Sequence, residues 1–287
     1  MTSKRALILI LFLFLLLAGA PACEAAKIRL KFNAWDGPEL RVYMTRPVGL
    51  APDRPVVFVM HGMNRDASEN RDRWHELAKE HDFLLVVPEF SQRKFPGSEK
   101  YSLGHVFDET GAPRPETAWS FSAIERIFDA VRERFSMTTD SYSLYGHSAG
   151  AQFVHRFIFH MPDARARQIV AANAAWYMMP DFGTDFPYGL NNSVVDRTRL
   201  GKALQLPVTI LLGELNTNPE DEYLRRTSEA MAQGKNALER GSAFYEQARK
   251  AAEQLNVPFN WRLATVQNVG HDNRLMAPAA IPYLLAE

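Results

Sequence analysis

The chain has 287 residues, 46% of them hydrophobic and 23% charged, which is enough apolar material for one large core without a second fold. Its 33 basic and 33 acidic residues cancel, and no segment gathers Lys and Arg densely enough to track a phosphate backbone, which argues against nucleic acid as a partner. With Cys23 as the single cysteine there is no internal disulfide, and no cysteine and histidine cluster or phosphate-cradling glycine loop asks for a metal or an organic cofactor.

At the N-terminus, Lys4 and Arg5 precede an apolar run from Ala6 to Ala18 and then the small residues Gly19 to Ala26, the pattern of a secretory signal peptide over residues 1–26. The 13-residue run is shorter than the roughly 20 residues a membrane-spanning helix needs. Cleavage is expected after Ala22 or within Glu24-Ala25-Ala26. Cys23 stands where a bacterial lipoprotein carries its acylated cysteine, but Ala20-Pro21 make a poor lipobox, so lipidation is the alternative outcome. The protein is therefore expected to be exported, periplasmic or secreted, with membrane contact only through the leader or a lipid on Cys23. Residues 27–287 remain for a single domain.

Short apolar runs alternate with longer stretches of helical period along that domain, which predicts a mainly parallel sheet with helices on both faces. Strands are expected at Leu40 to Thr45, Val56 to Met60, Leu84 to Val87, Tyr142 to Tyr145, Ile169 to Asn173, Val208 to Leu212 and Trp261 to Val266. Helices are expected at Asn70 to Glu80, Trp119 to Phe135, Gly150 to His160 and Leu238 to Leu255, the last stopped by Asn256 and Pro258. Ser91 to Pro115 and Asp181 to Arg199 read as irregular, and long ordered loops in a compact domain are often functional.

The most informative stretch is Ser143 to Gln152, where an apolar strand runs through Gly146-His147-Ser148-Ala149-Gly150 into a helix. Ser148 there has the setting of a nucleophile on a strained strand-to-helix turn, and Gly146 and Gly150 remove the Cβ atoms that would clash. The same turn presents the Ala149 N–H and the start of a helix to any negative charge developing beside the hydroxyl. About 85 residues upstream a buried-strand pattern ends in His61-Gly62-Met63, and the Met63 N–H is the expected second donor of an oxyanion hole.

The general base is expected in the loop Val266 to Asn273, where His271 follows the last strand. Of the other histidines, His75, His81, His155 and His160 lie on or beside helices and read as surface or packing residues. His147 is expected to point away from the nucleophile, and His105 sits in an irregular loop where a substrate contact is conceivable. Asp272 is too close in sequence to reach back to Nδ1 of His271, and is expected to cap the next segment.

The acid of a serine triad should follow the strand Val208 to Leu212, and three residues after Gly213 the position is held by Asn216. An amide can orient an imidazole but cannot stabilise its charged form, and in a serine enzyme that exchange costs on the order of 10⁴ in turnover, about 5 kcal/mol. Three readings stand. Glu214, or another nearby carboxylate such as Asp221, is the acid; Asn216 supports a slow enzyme; or the fold serves as a catalytically impaired binding protein of the cell envelope.

Met60-His61-Gly62-Met63, Pro88-Glu89-Phe90, Gly146 to Arg156, Leu224 to Gly234 and Gly270-His271-Asp272 together make the chain resemble the bacterial α/β-hydrolases related to poly(3-hydroxybutyrate) depolymerases and to feruloyl or acetyl xylan esterases. The resemblance implies the α/β-hydrolase fold as a single domain and hydrolysis of a small or polymeric ester without cofactor or metal. In such relatives the loop after the Gly213 strand looks like Asp-Thr-Asp, whereas here it is Asn216-Thr217-Asn218, so both local carboxylates are missing. Phe95, Tyr101, Phe107, Trp119, Trp176 and Tyr177 are aromatic candidates for a pocket wall. Among side chains, His61, Tyr101 and Trp176 are the expected substrate contacts.

Overall fold

The computed structural model describes residues 25–286, so residues 1–24 of the expected signal peptide, Cys23 among them, lie outside the described residues. One eight-stranded sheet spans the domain: β1 (Ala26–Phe32), β2 (Leu40–Arg46), β3 (Val56–Met60), β4 (Leu84–Glu89), β5 (Tyr142–His147), β6 (Ala166–Ala172), β7 (Val208–Gly213) and β8 (Arg262–Val266). Its spatial order is β1-β2-β4-β3-β5-β6-β7-β8, with β1 and β2 antiparallel and β3 to β8 parallel.

Seven helices cover it: α1 (Ala67–Glu80), α2 (Ser122–Phe135), α3 (Ala149–His160), α4 (Arg197–Leu204), α5 (Ser228–Ala232), α6 (Ala237–Leu255) and α7 (Asn273–Leu284). The central strands are apolar throughout because both faces are buried. In β3, Val56, Phe58 and Met60 join the core beneath α2, α3, α4 and α6, while Val57 and Val59 join the one beneath α1 and α7. That is the period-two alternation of a strand dividing its side chains between two layers.

β1, α4, α5 and α7 go beyond the sequence expectation. β1 alternates Ile28, Leu30 and Phe32 inward with Lys27, Arg29 and Lys31 outward. These cationic residues line a sheet edge, where charge discourages pairing with another chain. α4 begins within the last residues of the stretch expected to be irregular and continues past it, started by Asp196 accepting the Arg199 N–H at 2.8 Å. α7 forms despite Pro278 and Pro282, because Met276, Ala277, Ala280, Ile281 and Leu284 share one buried face against the sheet. Asp272 caps it by accepting the Arg274 N–H at 2.8 Å.

The parallel strands end together, so the loops after β3, β5, β7 and β8 meet at one rim of the sheet. Ligand sites of open α/β sheets form at the carboxyl ends of the strands for this reason.

Candidate active site

At the end of β5 the chain turns into α3 within one residue, and Ser148 makes the turn with φ 57° and ψ −119°. A left-handed conformation at a non-glycine residue is strained, and it lifts the side chain off the sheet. The Ser148 N–H donates to Ala172 O at 3.0 Å, tying the turn to β6. A Cβ on Gly146 would lie 2.2 Å from Gly150 O, and one on Gly150 would lie 2.2 Å from Met60 O, so both glycines are required by close backbone approach. That second contact is also what brings α3 up to the end of β3.

The end of β3 carries the turn expected to supply the second donor. After Met60 the chain turns through Gly62 and Met63 and is closed by the Arg65 N–H donating to Gly62 O at 3.2 Å. The Arg65 guanidinium donates to Phe90 O at 2.7 Å and Gly97 O at 2.8 Å and lies 4.2 Å from the Tyr101 ring centre, which pins the turn to the loop after β4. Among the described residues the Met63 N–H has no backbone acceptor, and the Ala149 N–H belongs to the unpaired first turn of α3. Both therefore remain donors for a ligand.

His271 and Asn216 come together from loops after β8 and β7. Their side chains meet at 3.2 Å, Asn216 Nδ2 to His271 Nδ1. In that orientation the amide donates to Nδ1, so the neutral ring carries its proton on Nε2 and has no lone pair there for a serine proton. A half-turn of the amide presents its oxygen instead, accepts the Nδ1–H, and frees Nε2 as a base. Burial pushes the His271 pKa below the usual histidine range, with the charge of Asp221 opposing part of that shift.

Glu214, the alternative acid, is turned elsewhere: its carboxylate accepts the Thr265 hydroxyl at 3.1 Å. Asp221 acts on His271 through its charge and accepts the Tyr223 N–H at 2.8 Å.

Ser148 and His271 line one cleft of about 210 Å³ with Gly62, Met63, His147 and Tyr223. Its floor holds a chain of side-chain bonds. The Tyr145 hydroxyl donates to Asn273 Oδ1 at 2.7 Å, Asn273 Nδ2 donates to Asn70 Oδ1 at 3.2 Å, and Asn70 Nδ2 donates to Asp66 Oδ1 at 2.9 Å. Asn173 was not singled out from sequence, yet it fixes the two loops relative to each other. Its Nδ2 donates to Gly270 O at 3.0 Å and its Oδ1 accepts the Gly213 N–H at 2.9 Å. The one local sign in the sequence is an asparagine at a strand end, where it takes φ 50°.

The structure corrects two sequence expectations about side-chain direction. His147 turns toward His271, with ring centres 4.6 Å apart, and lines the cleft. The three expected contacts, His61, Tyr101 and Trp176, lie outside it. His61 is fully buried, accepts the Phe90 N–H at Nε2 (3.0 Å) and has a pKa pushed down to about 3 by burial. Tyr101 stacks on it and donates to His61 O at 2.6 Å, so the pair braces the oxyanion turn from behind. Trp176 is held between the guanidinium groups of Arg156 and Arg225, 4.1 and 4.7 Å from the ring centre.

A mainly parallel sheet with a left-handed serine turn after β5, a Gly62-Met63 turn after β3 and a histidine after β8 is the architecture of an α/β-hydrolase. Among solved structures, poly(aspartic acid) hydrolase-1 from Sphingomonas sp. KT-1 is 41% identical and superposes with a TM-score of 0.89, covering 91% of this chain and 99% of that one. The poly(3-hydroxybutyrate) depolymerase LpqC from Bordetella parapertussis is 34% identical with a TM-score of 0.85, covering 90% of this chain and 89% of that one. A bifunctional acetylxylan esterase/xylanase of Neocallimastix patriciarum is 26% identical over 121 residues, 42% of this chain, and the match spans 15% of that protein. No family model matches the chain. The chain belongs to the α/β-hydrolase family, among its hydrolases and esterases.

Proposed function

We propose that the protein is a serine hydrolase of carboxylic esters, working through an acyl-enzyme on Ser148 with His271 as base. The observation that carries this reading is the left-handed Ser148 at the start of α3, in the same cleft as His271. Strain of that kind costs on the order of 1–3 kcal/mol and persists where the side chain must be aimed.

With Asn216 turned oxygen-first to Nδ1, His271 Nε2 takes the hydroxyl proton as Ser148 Oγ bonds to the carbonyl carbon. The carbonyl oxygen becomes an oxyanion facing the N–H groups of Met63 and Ala149. His271 returns the proton to the departing alkoxide, the C–O bond breaks, and the acyl group remains on Ser148. Water repeats the sequence and releases the acid. Burial favours the neutral form of His271, which a base requires, but nothing at Asn216 stabilises its charged form, so slow turnover is expected.

The two similar solved structures are named for a polyamide and a polyester, which makes polymeric substrates worth testing beside small esters. Export to the periplasm or beyond is part of the same proposal and rests on the N-terminal sequence. A second reading, a binding protein that uses the same cleft, is favoured by Asn216 alone.

Release of p-nitrophenol from short-chain p-nitrophenyl esters, measured beside Ser148→Ala and with fluorophosphonate labelling, decides between them. Turnover and labelling that vanish in Ser148→Ala support the hydrolase. Absence of both in the unsubstituted protein and in Asn216→Asp leaves the binding reading.

A further inference from the structure

His147 immediately precedes the nucleophile, is 7% exposed, and holds its ring centre 4.6 Å from that of His271 at 47° between planes. Its Nε2 is buried without a hydrogen-bond partner, and among the described residues neither ring nitrogen is engaged. His160 also leaves its Nε2 without a partner, but His61, His155 and His160 each bond through Nδ1 to a backbone carbonyl, and His147 has no such bond. A buried polar group left unsatisfied beside a reactive centre is unusual and calls for a reason.

We infer that His147 is a positioning residue for the base: a neutral imidazole whose face and unprotonated nitrogen stabilise the positive charge that forms on His271 during proton transfer. The inference rests on the Ser148 and His271 reading and deepens it. Because no hydrogen bond fixes its tautomer, His147 is free to turn the negative end of its dipole toward the cation. An aromatic face close to a desolvated cation adds a further attraction. The contact thus supplies part of what a carboxylate at Asn216 would supply.

This works only while His147 is uncharged, and its surroundings keep it so. Burial comes first, then His271 itself, then Arg73 on α1, and together they hold its pKa well below the usual range. Arg73 is in turn paired with Asp66 and Glu69. On the other sides stand Asn70, Asn273 and Tyr223 of the cleft wall, and Asp221 acts on His271 and not on His147.

The test compares His147→Leu, His147→Phe and His147→Gln, each in the unsubstituted protein and in Asn216→Asp, with circular dichroism to verify folding. In the unsubstituted protein, His147→Leu is expected to lower kcat about tenfold with KM little changed. The acid limb of the kcat/KM profile should move to lower pH, because the charged base has lost support. The aromatic His147→Phe and the polar His147→Gln should each recover part of the loss. In the Asn216→Asp background the same substitutions should cost about threefold or less, since the carboxylate then carries the charge.

Equal losses in both backgrounds, a change confined to KM, or an acid limb moving to higher pH would overturn the inference. The last result would mean that His147 repels the charge on His271. If all three variants fail to fold, His147 is a packing residue and the inference falls. Fluorophosphonate labelling separates the two levels: labelled Ser148 with indifferent His147 variants sinks this inference alone, and unlabelled Ser148 in every variant sinks the hydrolase reading with it.

Discussion

Replacing Asn216 by Asp puts a carboxylate where the amide now lies 3.2 Å from His271 Nδ1. At an effective dielectric constant near 20, a unit charge 3–4 Å from the imidazolium is worth about 4–5 kcal/mol, most of it gained only when His271 takes the serine proton. Burying the new charge offsets part of this, because Asn216 is 5% exposed. The carboxylate also removes the choice of tautomer, since an acceptor-only group forces the ring proton onto Nδ1 and leaves Nε2 free. The expected outcome for Asn216→Asp is therefore a rise in kcat on the order of 10²- to 10³-fold, below the roughly 10⁴ associated with the reverse change in a serine triad.

The assay is p-nitrophenyl ester turnover across pH. Burial now holds the His271 pKa low, and the carboxylate raises it. Activity needs neutral His271, so the acid limb of kcat/KM should shift to higher pH while the plateau climbs. A folded Asn216→Asp protein with less than tenfold gain and an unmoved acid limb would refute the reasoning. The charge would then have to come from elsewhere, with Asp221 the first candidate.

Three further outcomes follow from the geometry. Gly150→Ala places a Cβ 2.2 Å from Met60 O, a backbone atom that cannot move aside cheaply. It should cost about 1–3 kcal/mol of stability by thermal unfolding and most of the activity, since Met60 leads directly into the oxyanion turn. Asn173→Ala leaves Gly270 O and the Gly213 N–H without their partner, which should cost about 2–3 kcal/mol in urea unfolding and lower kcat more than it raises KM. His61 and His160 are buried neutral, with pKa values pushed down to about 3 and about 4. The unfolded chain binds protons at these sites from about pH 6.5 downward and the folded one does not. Unfolding free energy should therefore fall as pH drops from about 6.5 to about 4, by up to about 1.4 kcal/mol per pH unit for each histidine. Urea titrations at pH 7, 6 and 5 measure the slope, and His160→Gln should flatten it.

How far the site was legible in the sequence depended on whether its geometry is local. The Gly146 to Gly150 turn is written in consecutive residues, and the strand before it and the helix after it have their own periodicities. His271 and Asn216 were legible by order along the chain, because each follows a parallel strand ending at the same rim. The cleft floor was not. Asn273 bonds residues 128 and 203 positions away, Asn173 bonds others 40 and 97 away, and no periodicity encodes such pairs.

Aromatic loop residues misled for a related reason. Tyr101 and Trp176 lie in stretches that look exposed, but the irregular segments fold back over the sheet and bury them, where their polar neighbours are Arg65, Arg156 and Arg225. β1 was hidden by its nearness to the leader, and α7 by two prolines that its buried apolar face outweighs.

The same local and distant features bear on what Asn216 means. A protein that had abandoned catalysis would have little use for a left-handed serine, because that conformation costs on the order of 1–3 kcal/mol and a glycine would make the same turn without it. Yet Ser148 keeps φ 57°, with Gly146 and Gly150 cleared around it. Asn173 still spends both ends of its amide tying β7 to the His271 loop, and Asn216 still reaches Nδ1. Each of these constraints fits the proposed roles of Ser148 and His271, and only a charge at Asn216 is missing from them. On the proposed reading the frame lacks a single charge, and for that reason one substitution at Asn216 is the most informative perturbation of it.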